Sequence, residues 1–108
     1  MLAYLFAFLT PSAHAADCAS PYAVDALLGD KLVACVNLIG PVVSRYSWEG
    51  AIEEGQEMLL VMKTTDARRE ALRDRIAELH SYDVPEVLEF AVAGGLPAYL
   101  TWVADACR

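Results

Sequence analysis

Two long stretches with strand patterning flank Glu49-Gly50, and together they restrict the fold of this chain more than any other feature. The first runs from Leu32 through Asn37 to Trp48 and is interrupted at Gly40-Pro41, where a proline without an amide hydrogen signals a bulge or a sheet edge. Beyond that break, alternation places Val42, Ser44, Tyr46 and Trp48 on one face. The second runs from Ile52 to Thr64, with Met58, Leu60 and Met62 on one face and Leu59, Val61 and Lys63 on the other. Glu49-Gly50 sits where a tight hairpin turn belongs, glycine being free to take positive φ. Strands of this length exceed the usual five or six residues. The spacing therefore predicts a hairpin that projects beyond the rest of its sheet and pairs with a neighbouring subunit.

The remaining segments supply the other elements. Tyr4 to Thr10 reads as a buried, aromatic-rich strand closed by Pro11. Ser20-Pro21 is a helix-start signal, with Gly29 as the stop. Asp66 to His80 is the clearest helix, carrying Leu72, Ile76 and Leu79 on one face. Pro85 to Val92 alternates as an at least half-buried strand, and a last helix starts at Pro97 after an uncapped Leu96 and runs to Cys107. The order strand, helix, strand, strand, helix, strand is the split pattern of an α+β, ferredoxin-like fold, here with a long central hairpin and an added C-terminal helix. At 108 residues the expectation is one domain over positions 1–108.

Hydrophobic residues make up 56% of the chain, above the roughly 45–50% of an average soluble domain, and a core this small cannot hide the excess. A subunit interface is the expected outlet. The net charge of −7 argues against a nucleic-acid partner, which requires clustered Lys and Arg. The one basic cluster, Arg68, Arg69, Arg73 and Arg75, is interleaved with Asp66, Glu70, Asp74 and Glu78 and reads as a solvated helix face. Met1 to Leu9 followed by Ala13-His14-Ala15 imitates an export signal, yet its start lacks Lys or Arg and the apolar run is too short to span a membrane as a helix. A first strand and a cytoplasmic, membrane-free protein are expected, export being the alternative. Three widely spaced cysteines, Cys18, Cys35 and Cys107, do not suggest a disulfide framework.

Few side chains suggest chemistry. Cys35 in a strand is either an inert buried thiol or a thiolate ligand for Cu(I) or zinc. His80 closes a helix, where the dipole alone favours it. Tyr46, Trp48, Lys63, Tyr82, Glu86, Tyr99 and Trp102 are core or interface aromatics with a cation and a carboxylate among them, and Lys63 with Glu86 is the candidate pair. No Gly-rich phosphate loop is present, and no organic cofactor is expected. An enzyme would require Cys35 as nucleophile within reach of His80 as base, without an accompanying carboxylate pair.

Ala34-Cys35-Val36-Asn37, Tyr46-Ser47-Trp48-Glu49-Gly50, Lys63-Thr64 and Leu79-His80-Ser81-Tyr82-Asp83-Val84-Pro85-Glu86, in that order, closely resemble the CutA family of small trimeric divalent-cation tolerance proteins. The resemblance runs from about Leu28 to Arg108 and implies a nonenzymatic homotrimer that binds copper or another divalent ion. It puts His80 in an element implicated in copper binding, with Ser81, Leu79 and Leu9 departing from residues found in some members. It also places the aromatic set with Lys63 and Glu86 around an intersubunit cleft. Such a cleft is suited to a small anionic ligand or a salt bridge, as in PII-like sensing trimers built on the same plan. Residues 12–19 look like an insertion relative to the family.

Overall fold

The computed structural model describes residues 3–11 and 21–108. The proposed insertion, the Ser20 cap and Cys18 lie outside the described residues. Four strands form one antiparallel sheet: β1 (Ala3–Pro11), β2 (Cys35–Trp48), β3 (Ala51–Thr65) and β4 (Val87–Ala91), in the spatial order β2-β3-β1-β4. Helix α1 (Pro21–Gly29) connects β1 to β2, and α2 (Arg69–Leu79), entered through a 3-10 turn at Asp66–Arg68, connects β3 to β4. Helix α3 (Pro97–Ala106) ends the chain. This is the ferredoxin-like α+β arrangement with its added helix.

The hairpin forms as its sequence predicts. Glu49 and Gly50 both take positive φ, at 49° and 82°, which matches the twist of a two-residue hairpin. The β2–β3 register runs from Cys35↔Lys63 to Trp48↔Ala51 and shifts once, between Ile39 and Val42, at the Gly40-Pro41 break. At 14 and 15 residues these strands are far longer than β4 with its 5. They account for a molecule measuring 45 × 28 × 22 Å.

One face of the sheet carries the core. Phe6, Leu60 and Met62 pack there with Val24 and Leu27 of α1, Val33, and Leu72 and Ile76 of α2. Each large apolar side chain buried in this way contributes about 1.5–3 kcal/mol. The arginine-rich face of α2 does more than meet water. Glu89 of β4 receives Arg73 at 2.9 Å and lies 3.3 Å from Arg69 Nε, a contact whose geometry makes an ion pair but not a hydrogen bond. The Arg69 guanidinium also sits 4.5 Å from the ring centre of Tyr4, and Arg68 Nε donates to the Cys107 carbonyl at 2.8 Å, so α2 is tied to β1, β4 and the end of α3.

The opposite face is partly open. Cross-strand rows Phe90–Leu5–Lys63–Cys35 and Leu88–Ala7–Val61–Asn37 lie on it. Leu88, Phe90 and Ile39 are each about half exposed. The β4 strand is therefore more exposed than its alternation predicts, because α3 covers only the end of this face near Ala3, Leu5 and Lys63. At that end Val103 and Cys107 pack with Ala34, and Thr64 Oγ1 donates to the Leu32 carbonyl at 2.6 Å. Leu96 supplies no side-chain cap to α3.

Candidate functional site

A recess with a volume of about 670 Å³ opens between the distal hairpin and the segment 81–86 that leads from α2 into β4. Its shape follows from register. Tyr46 faces Glu53, Ser44 faces Gly55, and Val42 faces Glu57, so a row with almost no side chain separates two rows of large ones. A Cβ added to Gly55 would lie 3.8 Å from the Tyr46 hydroxyl, which shows the tyrosine lying over bare backbone. Trp48 extends the aromatic wall, and Tyr82, Asp83 and Glu86 close the other side.

Glu57 anchors this recess. It is 6% exposed and lines the cavity, and its Oε2 accepts a hydrogen bond from the Tyr82 hydroxyl at 3.0 Å. Arg45, the cation of the lining, is engaged with Glu54 at 2.8 Å, and among the described residues Glu53, Glu57, Asp83 and Glu86 form no ion pair. The recess is thus aromatic and acidic. Sequence reasoning found Tyr46, Trp48, Tyr82 and Glu86 but passed over Glu57. A carboxylate directly before the apolar run Met58-Leu59-Leu60 was the available signal, because Glu is rarely buried without a partner.

Lys63 lies elsewhere. It is 12 positions along β3 from Ala51, the partner of Trp48, which at about 3.3 Å per residue is roughly 40 Å. Its Nζ donates to Cys35 Sγ at 3.7 Å. With Tyr99, Leu5 and Leu100 it lines a second, smaller recess of about 230 Å³ against α3, while Trp102, outside that lining, stacks on Tyr99 at 5.7 Å. Within one protomer these residues do not share one recess and Lys63 and Glu86 form no ion pair: Glu86 directly precedes Val87, which lies level with Leu60 across β1, two strands away from β3. The hairpin recess carries four carboxylates, Glu53, Glu57, Asp83 and Glu86, against the single cation Arg45. Burial pushes the Tyr99 hydroxyl upward from its ordinary pKa, with charge on Cys35 as a lesser cause.

His80 is the residue that ends α2. Its backbone is extended and its N–H caps the Ile76 carbonyl at 2.9 Å, while its buried imidazole turns forward. Nδ1 accepts the Tyr82 amide at 3.1 Å, and the ring lies 4.8 Å from that of Tyr82. The side chain thus organises the loop of the hairpin recess in addition to any interaction with the helix dipole. Tyr82 reaches Glu57, six positions along β3 from Lys63, so His80 and Cys35 are separated by a distance on the order of 20 Å. They do not form a nucleophile–base pair. Among the described residues no group of three or more His, Cys, Asp or Glu side chains converges as a metal site. Cys107 is buried, which raises its thiol above the ordinary value against weaker lowering by Thr64, Arg68 and the Thr65 backbone. That makes it a poor thiolate.

Comparison with known proteins settles the lineage. Residues 9–106 match the family described as CutA1 divalent ion tolerance protein. The divalent-cation tolerance protein CutA of Thermus thermophilus is 40% identical over 80 residues, covering 74% of this chain and 78% of that protein. The chloroplastic CutA of Arabidopsis thaliana is 37% identical over 84 residues, 78% of this chain but 46% of its own length, so the chain spans about half of such longer relatives. Among solved structures, CutA from Xylella fastidiosa superposes with a TM-score of 0.89 at 34% identity, covering 98% of each chain. CutA1 from Oryza sativa superposes at 0.90 with 30% identity, covering 100% of this chain and 95% of that one. The fold order, the long hairpin and these matches over nearly the whole chain lead to one conclusion: the chain belongs to the CutA1 family of divalent-cation tolerance proteins.

Proposed function

We propose that this protein is a nonenzymatic homotrimer acting in divalent-cation tolerance, and that it binds copper or another divalent ion at a site shared between subunits. The observation that carries the assembly is the open sheet face, where Ile39, Leu88 and Phe90 remain about half exposed on a small domain. An apolar surface of this kind is commonly an interaction site. The family description supports the link to divalent ions. Sharing between subunits is supported by the donor set, because His80 and Cys35 are far apart in one chain and neither belongs to a group of three or more His, Cys, Asp or Glu among the described residues. The borderline imidazole and soft thiol suit copper or zinc better than magnesium. In this reading residues 3–11 are retained, since β1 pairs with both β3 and β4, and the protein is cytoplasmic.

Native mass spectrometry of the full chain under reducing conditions, with and without copper, tests both parts. The expected result is a trimer that takes up copper, with uptake reduced in His80→Ala and in Cys35→Ser. A monomer would refute the assembly. A trimer whose copper uptake is unchanged in the double variant would retain the assembly and refute these ligands.

A further inference from the structure

The two free cysteines of the described residues have different neighbours. Cys107 is buried and meets the Thr64 hydroxyl at 3.9 Å. Cys35 is only partly buried, and Lys63 Nζ donates to its Sγ at 3.7 Å. Backbone register sets up this contact before any choice of rotamer: Cys35 opens β2, an edge strand, and Lys63 is the residue directly opposite it on β3. Side chains paired in this way have Cβ atoms about 4.5–5.5 Å apart. Both partners belong to one protomer, so strand pairing within the chain is enough to bring them together. Among the described residues Lys63 forms no ion pair, and no carboxylate there competes with the sulfur for its nitrogen.

We propose that Cys35 and Lys63 form a reversible oxidative cross-link through a direct sulfur–nitrogen bond. A peroxide oxidises the thiol to the sulfenic acid, and the lysine nitrogen then displaces the sulfenic oxygen as water. In sum, the Cys35 thiol, the Lys63 ammonium and hydrogen peroxide give the Cys35–Lys63 sulfenamide, two waters and one proton. The sulfur gives up a pair of electrons, and the O–O bond of the peroxide breaks as it takes them up. Sulfenic acids condense in this manner with a thiol or a backbone nitrogen. Here the nitrogen directly opposite belongs to a lysine, whose flexible four-carbon stem lets it close the remaining gap. The bond spares the thiol from the sulfinic and sulfonic states, and reduction by a thiol restores both side chains. The cross-link does not rest on the copper reading, because neither of its steps uses a metal.

The test is mass spectrometry of the full-length protein, exposed in its native assembly to hydrogen peroxide in the presence of a metal chelator and then unfolded without reductant. The expected result is a product lighter by about 2 Da per chain, with Cys35 and Lys63 recovered in one linked peptide and the original mass restored by dithiothreitol. Lys63→Arg keeps the positive charge but removes the amine. In that variant the linked peptide is expected to disappear and Cys35 to advance to the sulfinic and sulfonic acids. A disulfide with Cys18 has the same mass, so peptide mapping and the Cys18→Ser variant separate the two. Mapping of the wild-type chain needs no substitution and decides the matter even if a variant does not fold. Absence of the linked peptide would overturn the proposal, as would a Cys35 thiol that peroxide leaves unreacted in the assembly, or persistence of the lighter product in Lys63→Arg combined with Cys18→Ser.

Discussion

Tyr82→Phe removes one oxygen atom and tests how the recess is held together. The hydroxyl donates at 3.0 Å to Glu57 Oε2, and no other side-chain hydrogen bond to Glu57 exists among the described residues. Hydrogen bonds to charged groups contribute about 1.5–3 kcal/mol when buried. Glu57 is 6% exposed but Tyr82 is 40% exposed, so water competes for the donor and the expected cost falls to about 1–2 kcal/mol. For a domain of this size that corresponds to a fall in Tm of roughly 5–10 °C. Tyr46→Phe is the control, because the Tyr46 hydroxyl lies over Gly55 and has no hydrogen-bond partner among the described residues, so its loss is expected to change stability by less than about 0.5 kcal/mol. Urea unfolding of both variants at one protein concentration, needed because assembly shifts apparent stability, measures the difference. In a Glu57→Gln background the cost of Tyr82→Phe is expected to shrink, which a double-mutant cycle detects. Equal stabilities for Tyr82→Phe and Tyr46→Phe would refute the argument that this bond anchors the loop to the hairpin.

Gly40→Ala is expected to cost about 1–3 kcal/mol, since φ there is +154° and a Cβ would lie 2.8 Å from Met58 Sδ and 3.2 Å from the Glu57 carbonyl oxygen; Gly29→Ala, with nothing within 4 Å, is the comparison in urea unfolding. Glu89→Gln loses both arginine partners, but those are 33% and 48% exposed, so the expected loss is only about 0.5–1 kcal/mol and fades at high salt in thermal melts. The raised thiol of Cys107 and the raised hydroxyl of Tyr99 give stability a defined alkaline slope. Each group stays neutral in the folded state at a pH where the unfolded one already ionises. Their contribution is therefore intact below the ordinary thiol and phenol values and is lost as pH rises from those values through the raised ones of the folded state. Melts across about pH 8 to 10.5 are expected to fall steadily, and less so for Cys107→Ala; a slope identical to wild type would remove Cys107 as a cause.

Much of the fold was legible because it depends on local rules. Alternation and the Glu49-Gly50 pair determined the hairpin, Pro41 its irregularity, and Pro21 and Pro97 the helix starts, since each sets φ or removes a donor irrespective of what lies beyond it. The apolar excess predicted a subunit interface, and the described residues leave Leu88 and Phe90 about half exposed on one sheet face. The convergence of distant residues was not legible. Lys63 and Trp48 stand in consecutive strands of one hairpin, yet register separates them by most of its length, while Glu57 and Tyr82, 25 positions apart in sequence, share a hydrogen bond. A sequence by itself determines which face of a strand a side chain takes, through a period of two residues; which faces then enclose a cavity depends on how α2 returns its following loop to the hairpin. That is a matter of tertiary packing, and it set an acidic, aromatic recess between the distal hairpin and the segment 81–86, with Glu57 in its wall.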